Sequence, residues 1–106
     1  MSQVLERVSM EELVQRARSL IPVLRSRARS VEEARRVPAE TAAMLRDADL
    51  YRLMQPARFG GFEYGFTELI DIVFEIGRGC GSSAWCYGLG AVHQWLLATF
   101  PLQAQE

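Results

Sequence analysis

The chain has 106 residues, a formal net charge of −1, 49% apolar and 24% charged residues. That length suits one domain with one modest core, and the near-neutral balance excludes the basic surface that nonspecific nucleic-acid binding needs. Two cysteines, Cys80 and Cys86, and a single histidine, His93, match neither the ligand spacing of a zinc site nor a dithiol pair. The expectation is therefore no metal, and two buried free thiols in a reducing, cytoplasmic compartment.

The N-terminus is polar and charged, unlike a secretory signal. Residues 1–8 are expected to be a flexible lead-in to a helical domain over residues 9–106. Ser9 followed by Glu12 has the pattern of a capping box. Leu13, Ala17, Leu20, Ile21 and Leu24 then give one buried helical stripe. Pro22 should kink or break this helix, since it removes one hydrogen bond and crowds the preceding turn; the pattern can resume through Arg29 and Glu33. The arginines at 25, 27, 29, 35 and 36, interleaved with Glu32 and Glu33, read as a solvated face. Pro38 suits the first residue of a second helix, with Ala42, Met44, Leu45 and Ala48 inward. Asp49 falls where a left-handed C-cap belongs, a conformation Asp tolerates less well than Gly.

Residues 50–63 read as a connector with turns at Gln55-Pro56 and at Phe59-Gly60-Gly61-Phe62. A third helix is expected from about Thr67 to Gly77, with Leu69, Ile70, Ile72, Val73 and Ile76 apolar. Gly77, Gly79 and Gly81 punctuate the chain, and Ser82 or Ser83 can cap a fourth helix that runs to Phe100, before Pro101. The glycines at 77–81 follow no strand and so make no dinucleotide fingerprint. No strand pattern appears, and the fold class expected is all-α with about four main helices.

Residues 79–105 contain no Asp, Glu, Lys or Arg and hold the only histidine. Residues 79–100 have the length of a membrane span, but Ser82, Ser83, His93 and Gln94 interrupt it and basic flanks are missing, so no membrane partner is expected. A helix apolar nearly all round must be covered on most sides, and the other elements are too few to do so. The chain thus reads as one module of a larger catalytic protein. Cys86, Gly90, His93 and Leu97, spaced by four, three and four, share one face of that helix, with Trp85 and Leu89 beside it. Gly88 and Gly90 mark either close helix packing or a ring lying on bare backbone. His93 is either a hydrogen-bonded core residue or a functional imidazole able to donate or accept near neutral pH. No carboxylate on this helix is placed to orient it.

The order of motifs is more specific. Val37-Pro38 leads into a helix ending Leu45-Arg46-Asp47-Ala48-Asp49-Leu50, followed by Gln55-Pro56-Ala57-Arg58-Phe59-Gly60-Gly61. Arg78-Gly79-Cys80-Gly81-Ser82-Ser83-Ala84-Trp85 and Ala91-Val92-His93-Gln94-Trp95 complete the series. This resembles the N-terminal helical domain of the acyl-CoA dehydrogenase superfamily, and within it the two-component flavin-dependent monooxygenase branch. The Phe-Gly-Gly turn belongs to the superfamily generally; Gly-Ser-Ser-Ala-Trp with a histidine eight residues beyond the tryptophan is more selective for the monooxygenases.

The resemblance implies an oxygenase component that takes reduced FAD or FMN from a separate flavin reductase. Oxygen adds at flavin C4a, and the resulting (hydro)peroxyflavin hydroxylates a small aromatic, phenolic substrate. It implies a catalytic role for His93 facing the substrate, Trp85 lining the same pocket, and a homotetramer; the shared helix face adds Cys86, Leu89 and Gly90 to the expected substrate-binding residues. Cofactor-binding residues are not assigned, because in relatives most flavin contacts come from a middle β-domain and a C-terminal helical bundle beyond this chain; the 106 residues are accordingly expected to be inactive alone. Relatives carry Gly at the Asp49 position. An acyl-CoA dehydrogenase or oxidase relative and a non-catalytic helical interaction module remain as alternatives.

Overall fold

The computed structural model describes residues 7–106. Among them there is no strand: the elements are α1 (Met10–Ala34), α2 (Ala39–Asp47), α3 (Phe66–Gly79), α4 (Gly81–Ala98) and a short α5 (Leu102–Gln105), with single 3-10 turns at Leu50–Arg52 and Ala57–Phe59. The all-α expectation holds. The flexible lead-in lies outside the described residues for positions 1–6. Positions 7 and 8 are held: Arg7 donates to the Phe62 carbonyl at 2.7 Å and lies over the Tyr64 ring, whose hydroxyl donates to the Val8 carbonyl at 2.7 Å.

Ser9 caps α1 by accepting the Glu12 N–H at 3.1 Å, while the Glu12 carboxylate turns to Arg16 at 3.1 Å. Leu13, Ala17, Ile21, Leu24 and Val31 are buried along one side. Pro22 neither breaks nor ends the helix. Its ring lies on the exposed side, where the carbonyl it leaves unpaired can meet water, and buried contacts before and after it keep the stripe continuous. α1 ends at Arg35 in the left-handed region, φ 60°. Pro38 is the N-cap of α2 rather than its first residue. Asp49 adopts φ 64°, as its position after α2 predicts, and its carboxylate accepts from Arg16 at 3.2 Å. That charge-assisted contact offsets part of the strain that glycine would avoid.

α1 and α3 form the main packed pair. α3 extends two residues beyond its expected end, through Gly79, because Gly79 is a contact rather than a break. A Cβ there would stand 2.8 Å from Leu24 Cβ and 3.1 Å from the Ile21 carbonyl oxygen. The two backbones can cross this closely only at glycine. One turn earlier, buried Glu75 pairs with Arg18 of α1 at 3.2 Å and with Arg78 at 2.9 Å. The buried carboxylate thus has both partners it needs. Around the 59–62 turn, Gly60 has φ 90°, and a Cβ on Gly61 would overlap the Gln55 backbone. Phe62 is buried beneath.

Only Cys80, in extended conformation, separates α3 from α4, so the second helix is aimed by the first. The fourth helix begins two or three residues earlier than Ser82 or Ser83 would allow as a cap. Cys80 is the N-cap, and its thiol accepts the Ser83 N–H at 3.5 Å. α4 ends at Ala98, where Gln105 closes over it by donating to the carbonyls of Ala98 (3.1 Å) and Phe100 (2.8 Å). On its inner side Tyr87 is fully buried and donates to the Leu50 carbonyl at 2.7 Å. Burial, and secondarily the neighbouring Tyr51, hold the Tyr87 phenol well above its ordinary pKa of 10.0.

Two outcomes follow for stability. Gly79→Ala should lower it by about 2–4 kcal/mol, as overpacking against backbone does. Gly77→Ala, where the new methyl would meet only Ala84 at 3.6 Å, should be neutral or raise it by up to about 1 kcal/mol; chemical denaturation of the two variants checks the contrast. Because the folded-state pKa of Tyr87 is raised, its contribution is fully present below the unfolded value near 10 and is lost as pH climbs toward the folded value. Denaturation midpoints should thus be flat in this respect up to about pH 9.5 and fall above about pH 10, with a shallower fall in Tyr87→Phe.

Candidate functional site

α4 has two unlike sides. Ser83, Ala84, Tyr87 and Ala91 are buried against the rest of the chain. On the other side Trp85 is 70% exposed, and Leu89, Leu96, Leu97 and Phe100 are exposed as well. Two rows run along this outer wall: Trp85, Leu89, His93 and Leu96, and Cys86, Gly90, His93 and Leu97. At 3.6 residues per turn they lie side by side and share His93. The five residues singled out from the sequence, Trp85, Cys86, Leu89, Gly90 and His93, thus occupy one side of one helix.

Their burial differs from the expectation in two places. His93 is exposed on this chain rather than a core residue, and Cys86 is exposed while only Cys80 is buried. Both follow from the same cause: the buried stripe of α4 is narrow, because the main elements that reach it are α3, part of α1, the Leu50–Arg52 turn and the short α5 at its end. The prediction that the other elements are too few to cover this helix is met.

The imidazole is oriented by its own helix. Nδ1 of His93 lies 2.5 Å from the Leu89 carbonyl oxygen. A carbonyl only accepts, so Nδ1 carries the proton and Nε2 of the neutral ring is left as an acceptor directed away from that bond. Among the described residues no carboxylate bonds the ring. The ring is therefore set up to accept a hydrogen bond or a proton from a ligand on an otherwise uncharged wall.

The two glycines in α4 turn out to serve different neighbours. At Gly88 a Cβ would sit 3.4 Å from Val73 of α3, which is helix packing. At Gly90 it would sit 3.3 Å from Cε1 of Tyr51. A ring does lie on bare backbone there, and it is the protein's own. Tyr51 was absent from the sequence-derived site, because it stands in the connector and meets α4 only through the fold. Its ring also contacts Tyr87, centroids 5.3 Å apart. Burial, and then nearby Cys86, raise its phenol pKa above 10.0.

Two open grooves flank the wall. One, of about 550 Å³, lies between Val31, Arg35 and Arg36 on one side and Ser82, Trp85 and Cys86 on the other. A second, of about 320 Å³, lies between Gln55, Phe59, Gln94 and Leu97. Among the described residues no group of three or more His, Cys, Asp or Glu could hold a metal, and no helix is long and apolar enough to cross a membrane. The wall supplies an imidazole, a thiol and apolar surface but no set of donors enclosing a cofactor.

The fold and its motifs have close counterparts. The chain is 44% identical over 93 residues to "FADH(2)-dependent resorcinol hydroxylase, oxygenase component" of Rhizobium sp. (strain MTP-10005), covering 88% of this chain and 23% of that protein. It is 38% identical over 93 residues to "Flavin-dependent monooxygenase, oxygenase subunit HsaA" of Rhodococcus jostii (strain RHA1), covering 88% of this chain and 24% of the relative. The crystal structure of 3-HSA hydroxylase from Rhodococcus sp. RHA1 superposes with a TM-score of 0.86 at 38% identity, over 90% of this chain and 24% of that one. The chain spans about a quarter of the length of these relatives. Residues 9–106 match the family described as "Acyl-CoA dehydrogenase, N-terminal domain". With that match and these oxygenase-component relatives, the chain belongs to the acyl-CoA dehydrogenase N-terminal domain family.

Proposed function

We propose that this chain is the N-terminal helical domain of a reduced-flavin-dependent monooxygenase, the oxygenase component of a two-component system, and that the outer wall of α4 is the substrate side of its active site. The observation that carries the reading is His93: its Nδ1–H is held by the Leu89 carbonyl, and its free Nε2 stands on a wall with no charged residue. Such a wall suits a neutral ring bearing a hydroxyl. The apolar residues desolvate the ring, and Nε2 accepts from the hydroxyl, drawing its proton and raising electron density on the ring. Trp85, Cys86 and Leu89 are the surrounding contacts.

The described residues do not by themselves enclose a flavin. In the whole protein, reduced FAD or FMN, delivered by a flavin reductase, supplies the oxygen activation. The remainder of the protein encloses it, and a homotetramer is the expected assembly. By itself the chain is expected to show no hydroxylation. An acyl-CoA oxidising activity that needs no reductase is the rival reading, and assay of both activities in the full-length protein separates them.

In that protein, His93→Ala should lower kcat/KM for a phenol by about 10²-fold or more, the range of general acid–base contributions, with reduced-flavin affinity within about twofold of the parent. Steady-state oxygen consumption coupled to product analysis reads the first quantity, and anaerobic titration the second. Unchanged turnover would remove His93 from the reaction.

A further inference from the structure

Tyr51 is delivered to the His93 wall by three separate features. Its ring packs against the backbone at Gly90, where a Cβ would stand a tight 3.3 Å from Cε1. Its other side meets Tyr87, with the planes tilted by 46°. Its chain neighbour Leu50 is fully buried and accepts the Tyr87 hydroxyl at 2.7 Å, which fixes the turn from which Tyr51 projects. Gly90 belongs to the Cys86–Gly90–His93 row, and by the helical rise His93 lies about 4.5 Å further along the axis.

The hydroxyl of Tyr51 differs from the other two tyrosine hydroxyls. Those of Tyr64 and Tyr87 are spent on the Val8 and Leu50 carbonyls. That of Tyr51 has no partner among the described residues, and it is not an enclosed orphan, since the only such buried atom is Ser83 Oγ. The hydroxyl of this half-buried, well-anchored ring is therefore free to bond a ligand, and phenylalanine in its place would keep the ring contacts without that bond. The phenol stays neutral at physiological pH, being held above its ordinary range by burial and by Cys86, and so keeps a proton to donate.

We propose that Tyr51 is a substrate-contacting residue that determines specificity, its hydroxyl bonding a ring hydroxyl of the aromatic substrate on the α4 wall. The proposal rests on the reading of that wall as the substrate side. Tyr51 and His93 are chemically complementary there: the phenol O–H donates and the imidazole Nε2 accepts. A ring hydroxyl placed on the wall accepts from the Tyr51 phenol, whereas a methyl group in its place leaves that donor unpaired. Such a site discriminates by the cost of its own unpaired polar atoms. The substrate class selected is therefore a hydroxylated arene over the isosteric methylarene.

The test is equilibrium binding of phenol and toluene to the full-length protein and to Tyr51→Phe, by calorimetry, alongside hydroxylation assays of both. Tyr51→Phe keeps the contacts with Gly90 and Tyr87, so unchanged circular dichroism and thermal midpoint are expected. Phenol binding should weaken about three- to tenfold, the range for one neutral hydrogen bond, with toluene binding unchanged. Gly90→Ala, which crowds the ring by a few tenths of an ångström, should produce a smaller loss in the same direction. If the parent hydroxylates phenols and Tyr51→Phe binds both ligands as the parent does, Tyr51 is a packing residue only and the monooxygenase reading stands. If the parent binds phenol, loses it selectively in Tyr51→Phe and yet hydroxylates nothing, the contact stands and the monooxygenase reading falls. A parent that binds neither ligand overturns both.

Discussion

The backbone crossing of α1 and α3 at Gly79 is the constraint on which the remaining geometry depends. At 2.8 Å from Leu24 Cβ there is no room for even a methyl group. The crossing lies at the very end of α3, with one residue, Cys80, before α4 begins. A link this short transmits direction, so the placement of α3 on α1 also decides where α4 points. Glu75 strengthens the same junction by reaching Arg18 on α1 and Arg78 on its own helix. Removing both arginines would leave a buried charge uncompensated, a larger penalty than the pairs' net contribution to stability.

From that junction the two-sided character of α4 follows. Its inner stripe, Ser83, Ala84, Tyr87 and Ala91, satisfies the small core of this chain. Its outer rows carry large apolar groups that no described element covers. Exposed apolar surface of this kind marks a contact surface, and here it surrounds the one histidine. Conventional amphipathicity is absent, since the outer side is as apolar as the inner. The outer rows carry few polar groups on an uncharged background, among them the imidazole of His93 and the thiol of Cys86.

Local features were legible in the sequence where the physics is local. The Ser9 cap, the Leu13–Leu24 stripe, the left-handed Asp49 and the single side shared by Trp85, Cys86, Leu89, Gly90 and His93 follow from periodicity and cap chemistry within a few residues. Other features misled for equally physical reasons. Pro22 looked like a break, but its ring faces solvent. Gly77 and Gly79 looked like punctuation, but the latter is a packing contact, and contact can sustain a helix against glycine's low propensity. Ser82 and Ser83 looked like caps, yet a thiol one position outside the first turn took the role. The exposure of His93 and Cys86 depends on which elements reach α4, a question no window along the chain addresses.

By itself, then, the sequence determined the all-α class, the family, and the uncharged helix that brings the imidazole and an indole to one side, because those depend on side-chain type and helical spacing. The tertiary structure alone decided that α3 continues to Gly79, that His93 is held by a backbone carbonyl with its other nitrogen free, and that Tyr51 fills the space at Gly90. Each of these is set by a contact between atoms distant in the chain or by a side-chain orientation. Long-range contacts of that kind leave no periodic trace, since the two partners answer to each other's shape and not to their neighbours in sequence.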